Sequence, residues 1–91
     1  MQSLSMALNR LLKRHKIAQA INQYRSIEIW SDVVGETIAS KSQPKSIDRG
    51  KLFVAVTSSV WRNELMYHKE MILAKLNDRL GKNTIKDIIF Q

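Results

Sequence analysis

The apolar positions change period within the stretch Gly50 to Leu65, GKLFVAVTSSVWRNEL. Leu52, Val54 and Val56 alternate at period two, whereas Val60, Trp61 and Leu65 open a stripe at helical spacing. The pattern predicts a strand that feeds through Ser58 and Ser59 into a helix running to Leu80, with Trp61, Leu65, Ile72, Leu73, Leu76 and Leu80 on its core side. Gly81 stops that helix in the position after the cap, where glycine is favoured. Upstream, Leu4, Leu8, Leu11, Leu12, Ala18 and Ile21 recur at three and four. This predicts an amphipathic helix, broken near His15 to Ile17, in which Leu11 and Leu12 are keyed to the core.

Ser26 then reads as the N-cap of a further helix, with Glu28 in its first turn at the positive end of the dipole. Ile27, Trp30, Val34 and Ile38 form its buried stripe. Gly35 costs about 1 kcal/mol in a helix interior relative to alanine, so it either ends the helix or admits a close neighbour. Pro44 has no ladder donor and suits the first residue of an edge strand, Lys45 to Asp48. Asp48-Arg49-Gly50-Lys51 is a turn in which glycine supplies a positive φ, so the two strands form an antiparallel hairpin. Thr84 to Phe90 is the third strand. The expected fold class is α+β, in the order α(α)ββαβ, with a three-stranded sheet packed by helices on one face. One domain spans 1–91, and 1–25 is its basic helical segment.

Length and composition narrow the possibilities. A chain of 91 residues buries about 60 to 65 percent of its unfolded surface, enough for one modest core. It has no cysteine, so neither a disulfide framework nor a thiolate metal site is available. The longest apolar run, Leu52 to Val56, is far short of the roughly 20 residues of a membrane span. The expectation is a soluble, cytoplasmic protein without a membrane role.

Charge is unevenly spread. Residues 1–25 hold five basic side chains (Arg10, Lys13, Arg14, Lys16 and Arg25) and no acidic one, so they supply +5 of the total +7. The field attracts a polyanion. The run Arg10, Lys13, Arg14 and Lys16 could displace counterions from a phosphate backbone, about 0.9 per contact. Lys41, Lys45, Arg49 and Lys51 surround the hairpin, which could enter a groove or follow a strand; edge lysines equally prevent sheet aggregation. At Ser58-Ser59 the free amides of a helix start, with Arg62 one turn in, could hold a phosphate, although serines there more often only cap. Trp30 and Trp61 lie on apolar stripes and read as core residues instead of base-stacking platforms.

A spaced set of positions carries a likeness. Trp30-Ser-Asp-Val-Val-Gly-Glu-Thr-Ile-Ala39, Pro44, the strand after Gly50, Val60-Trp61-x-x-Glu64-Leu65 and Leu76-Asn77 together resemble the DciA family, bacterial proteins associated with the replicative helicase. The likeness runs from about Ser26 to Phe90. It implies a domain similar to the KH fold that binds DNA and helps bring the replicative helicase onto it. Longer members look to carry a C-terminal extension that engages the helicase, whereas this chain ends at Gln91, one residue past its last apolar run. Its three glycines, Gly35, Gly50 and Gly81, do not make the G-x-x-G loop by which KH domains clamp single strands.

Enzymatic chemistry is not expected. His15 and His68 lack further ligands at metal spacing and neither sits in a nucleophile–base pattern. No phosphate-binding loop, dinucleotide fingerprint or nucleophile elbow is present, so no cofactor and no small-molecule ligand are expected. The reading is a DNA-binding accessory protein that contacts the phosphate backbone with little sequence preference, through Arg10, Lys13, Arg14, Lys16, Lys41, Lys45, Arg49, Lys51 and Arg62. A protein-interaction adaptor docking its basic face on an acidic partner, or an RNA-binding module, remains the alternative.

Overall fold

The computed structural model describes residues 4–91. The first three residues of the expected 1–91 domain and of its 1–25 basic segment therefore lie outside the described residues. Three helices and three strands follow in the order α1 (Leu4–Val34), α2 (Glu36–Lys41), β1 (Ser42–Asp48), β2 (Lys51–Val56), α3 (Ser59–Leu80) and β3 (Asp87–Phe90). The fold is α+β, as the periodicity predicts.

The first departure is α1, an unbroken helix of 31 residues. At 1.5 Å per residue it is about 46 Å long, and the molecule measures 61 × 21 × 18 Å as a consequence. No glycine or proline occurs between Leu4 and Val34, so nothing removes a ladder hydrogen bond near His15 to Ile17. The helix runs through the polar interruption, is exposed from Leu4 to Ile21, and is first buried at Ser26. Leu4, Leu8, Leu11 and Leu12 are all exposed, so the expected keying of leucines to the core does not occur. Ser26 is likewise no cap. It is fully buried mid-helix, and its hydroxyl donates to the Gln23 carbonyl, which satisfies it without a partner from another element.

The end of α1 does reach the core. Ile29 and Trp30 are buried, with Ile27, Val33, Val34 and Ile38 packed partly against them. Gly35, at φ 87°, separates α1 from α2, and a Cβ there would meet nothing within 4 Å. Of the two roles expected for this glycine, breaking the helix is the one it has.

β1 starts at Ser42, three residues earlier than predicted, and contains Pro44 instead of beginning after it. It pairs antiparallel with β2, and the register shifts between Pro44 and Ser46, leaving Lys45 as the extra residue of a bulge. Because β1 is an edge strand in the order β1-β2-β3, the missing proline donor faces no partner that needs it. β3 is shorter than predicted and runs parallel to β2, with Leu52 opposite Ile88 and Val54 opposite Phe90. Parallel neighbours need a crossover, and α3 supplies it. Leu52, Val54, Ile88 and Phe90 are buried on the helix-covered face together with Leu65, Ile72, Leu76, Leu80 and Ile85.

Trp61 departs from its expected place. It is only half-buried and stands outside the buried cluster, and Val60 before it is 71% exposed. The apolar pair at the start of α3 therefore does not open the core stripe, which begins at Leu65. Trp30 is the core tryptophan, and its indole N–H donates to the Ser42 hydroxyl at 3.0 Å. That hydroxyl in turn donates to the Ile38 carbonyl at 2.7 Å, so a buried polar chain ties α1, α2 and β1 together.

Candidate nucleic-acid interface

The nine basic candidates fall in three places. Arg10, Lys13, Arg14 and Lys16 are all exposed on the part of α1 that projects beyond the core. None of the four is ion-paired to a carboxylate among the described residues, whose salt bridges are His68–Glu64 and Lys69–Asp87. At 100° per residue, Arg10, Lys13 and Arg14 lie on the face opposite Ser26, Ile29 and Trp30, whereas the uncovered leucines continue the face that is buried further along the helix.

Arg49 and Lys51 stand at the hairpin turn. Asp48 and Lys51 pair directly, so the loop has two residues, Arg49 at φ 52° and Gly50 at φ 82°. Two successive positive φ values are the mark of the turn whose twist matches that of the strands. An arginine accepts the left-handed region at a cost of about 1–2 kcal/mol, so the positive φ expected at the glycine occurs at Arg49 as well.

Lys41, Lys45 and Arg62 belong to the opposite end of the sheet. Lys41 closes α2, and its carbonyl accepts from the Thr57 amide at 3.0 Å, beside the start of α3. Lys45 forms the bulge. Arg62 is half-buried, and its Nε is enclosed without a hydrogen-bond partner. Ser58 accepts from the Trp61 amide at 3.2 Å, so that helix start carries a side-chain cap, the more ordinary of the two roles considered.

Two lysines outside the nine candidates, Lys82 and Lys86, join the overhang to the hairpin turn. A cleft of about 310 Å³ opens between α1 and the loop after α3. His15, Gln19 and Asn22 line it from the helix, and Lys82, Asn83 and Lys86 from the loop. Lys86 also lies against the hairpin turn: its amide donates to the Gly50 carbonyl at 2.8 Å, and a Cβ on Gly50 would stand 3.0 Å from its Cγ. The loop is held from within. The Asn77 side chain accepts from the Ile85 amide at 2.8 Å and donates to the Ile85 carbonyl at 2.9 Å, and the Thr84 amide closes the turn on the Gly81 carbonyl at 3.2 Å. The only sequence signal for these lysines was their position after the Gly81 stop.

Among the described residues no group of three or more histidines, cysteines or carboxylates could hold a metal ion, and no helix is long and apolar enough to cross a membrane. The arrangement offers cations and amide donors without an apposed acid-base pair.

Residues 3–90 match the family described as Dna[CI] antecedent, DciA. The chain belongs to the DciA family. It is 26% identical over 87 residues to a UPF0232 protein of Rhodococcus jostii (strain RHA1), covering 96% of this chain and 46% of that protein. It is 30% identical over 59 residues to a UPF0232 protein of Mycobacterium ulcerans (strain Agy99), covering 65% of this chain and 32% of that one. The chain thus spans less than half the length of either relative. Several positions behind the DciA likeness hold the fold in this structure: Trp30 fills the core, Gly35 breaks the helix, Gly50 makes the turn, and Asn77 pins the loop.

Proposed function

We propose that this DciA-family domain binds DNA through its phosphate backbone and serves as an accessory of the replicative helicase. The observation that supports this best is the overhang of α1, where Arg10, Lys13, Arg14 and Lys16 are exposed and no carboxylate neutralises them. Cations so presented exchange condensed counterions for phosphate contacts and carry little sequence information. Arg49 and Lys51 at the hairpin turn extend the same field. The helicase partnership and the intracellular setting it requires rest on the family.

The test is a fluorescence-anisotropy titration with single-stranded, duplex and forked DNA over a salt series, repeated with the helicase present. Log affinity should fall linearly with log salt with a slope of several units, and Lys13→Glu with Arg14→Glu should weaken binding at least tenfold without moving the melting temperature. Negligible DNA affinity at low ionic strength would leave the domain an adaptor for an acidic protein surface. Stronger binding to RNA of the same sequence would transfer the reading to RNA.

A further inference from the structure

We infer that the cleft between α1 and the Gly81–Lys86 loop is a seat for a backbone phosphate of the bound nucleic acid, an inference that rests on the DNA-binding reading above. The lining is rich in donors. Lys82 and Lys86 bring two fixed positive charges, His15 presents a ring N–H in either charge state, and Gln19, Asn22 and Asn83 bring carboxamide N–H groups. No aspartate or glutamate lines the cleft, although the chain holds eight. An anion there meets donors on both walls and no carboxylate in the lining.

Its position ties it to the rest of the basic surface. Arg10, Lys13, Lys16, Gln19 and Asn22 stand three residues apart, so they form one ridge of α1, inclined about 45° to the helix axis and climbing about 4.5 Å per step. The ridge begins on the outward basic face and winds into the cleft. A backbone crossing α1 along it passes three cations before reaching the cleft. From Arg10 to Gln19 the rise is about 14 Å, on the order of four base-pair steps of duplex. On the far wall the stem of Lys86 rests on Gly50, next to Arg49 and Lys51, so the cleft bridges the two patches that the sequence presents as separate.

The walls are also fixed in place. The two hydrogen bonds between Asn77 and Ile85, and that from Lys86 to Gly50, anchor the loop to α3 and to the hairpin. The hold is on the backbone, so the loop itself need not be ordered when an anion binds, and only the exposed Lys82 and Lys86 side chains lose freedom.

The experiment compares four proteins in a DNA titration over a salt series: wild type, Lys82→Gln with Lys86→Gln, Lys82→Gln alone, and Lys13→Gln with Arg14→Gln. Glutamine keeps the aliphatic stem of Lys86 on Gly50, and Lys82→Gln alone guards against a folding defect in the double variant. The salt slope should fall by about one unit in the cleft variant, since one phosphate contact contributes about 0.9. The backbone amides of Asn83 and Thr84 should shift in the NMR spectrum as DNA is added. An unchanged slope in the cleft variant, with a reduced one in the overhang variant, overturns the inference and leaves the DNA-binding reading standing. A wild-type protein without salt-dependent DNA binding removes both. A parallel titration with inorganic phosphate distinguishes the sources: shifts of the same amides at lower concentrations than DNA requires would assign the cleft to free phosphate and overturn its role on DNA.

Discussion

The Asn77 carboxamide pairs with both backbone groups of Ile85, accepting from its N–H at 2.8 Å and donating to its carbonyl at 2.9 Å. A side chain on the last turns of α3 thereby does for the loop what a neighbouring strand would do, and Ile85 is held with its side chain in the core. Replacing Asn77 with alanine leaves two partly buried backbone groups without partners. The expected loss is about 1–3 kcal/mol, read in urea denaturation, together with raised amide exchange at Thr84 to Lys86. A change below about 0.5 kcal/mol would show that water replaces the carboxamide at no cost.

Ser42 occupies a comparable place for Trp30. Its hydroxyl accepts from the indole and donates to the Ile38 carbonyl in a buried setting. Ser42→Ala strands a buried indole N–H and should cost about 1–3 kcal/mol. Trp30→Phe should cost less in this background than in wild type, because the orphaned donor leaves with the indole. Additive losses in a double-mutant cycle would contradict the pairing.

Leucines on the two long helices should behave oppositely. Leu8 is 52% and Leu11 60% exposed, whereas Leu76 is fully buried. Leu8→Ser and Leu11→Ser should each change stability by no more than about 0.5 kcal/mol, while Leu76→Ala should cost about 2–5 kcal/mol. Thermal melts of the three variants at several protein concentrations check both values.

Asp87 makes stability sensitive to acid. The ammonium of Lys69 stands 2.7 Å from its Oδ1 and, by hydrogen bonding first, holds the carboxyl below its ordinary value of 3.8, with the Ile88 amide and Lys51 assisting against partial desolvation. A carboxyl depressed in the folded state contributes stability that is complete above its unfolded value and disappears as pH falls through the lower folded one. Wild type should therefore exceed Asp87→Asn in denaturation midpoint at pH 6, and the gap should close as pH drops below about 3.8. A gap of constant size from pH 6 to pH 2 would assign it to packing.

Arg49 sits at φ 52°, in a region where asparagine is at home and arginine is not. Arg49→Asn should stabilise the domain by about 0.5–1 kcal/mol while weakening DNA binding at low salt. The pairing of a stability gain with a binding loss, measured by melting and anisotropy on the same protein, identifies the arginine as retained for its charge. A stability gain with undiminished affinity would remove Arg49 from the interface.

The strand-to-helix change at Ser58, the hairpin turn at Arg49-Gly50 and the helix stop at Gly81 were legible from residue spacing. Each depends on backbone conformations and periods that neighbours in sequence impose on one another. The residues wrongly assigned to the core share one cause. Val60, Trp61 and the leucines of α1 stand at helical spacing, but spacing tells which residues share a face, not whether anything covers it. Ser26 resembled a cap because a buried serine bonded within its own helix leaves the same trace in sequence.

The sequence by itself determined the element types, the α+β class, the excess of positive charge near the start and the absence of cysteine chemistry, since these follow from local conformational preference and composition. Only the tertiary structure decided that β3 runs parallel to β2, that α1 continues past the core with its leucines uncovered, and that Lys82 and Lys86 come beside His15 and Gly50. Those relations join residues tens of positions apart. They arise from how the packed elements share one core, and no local spacing encodes which surfaces that packing leaves facing each other.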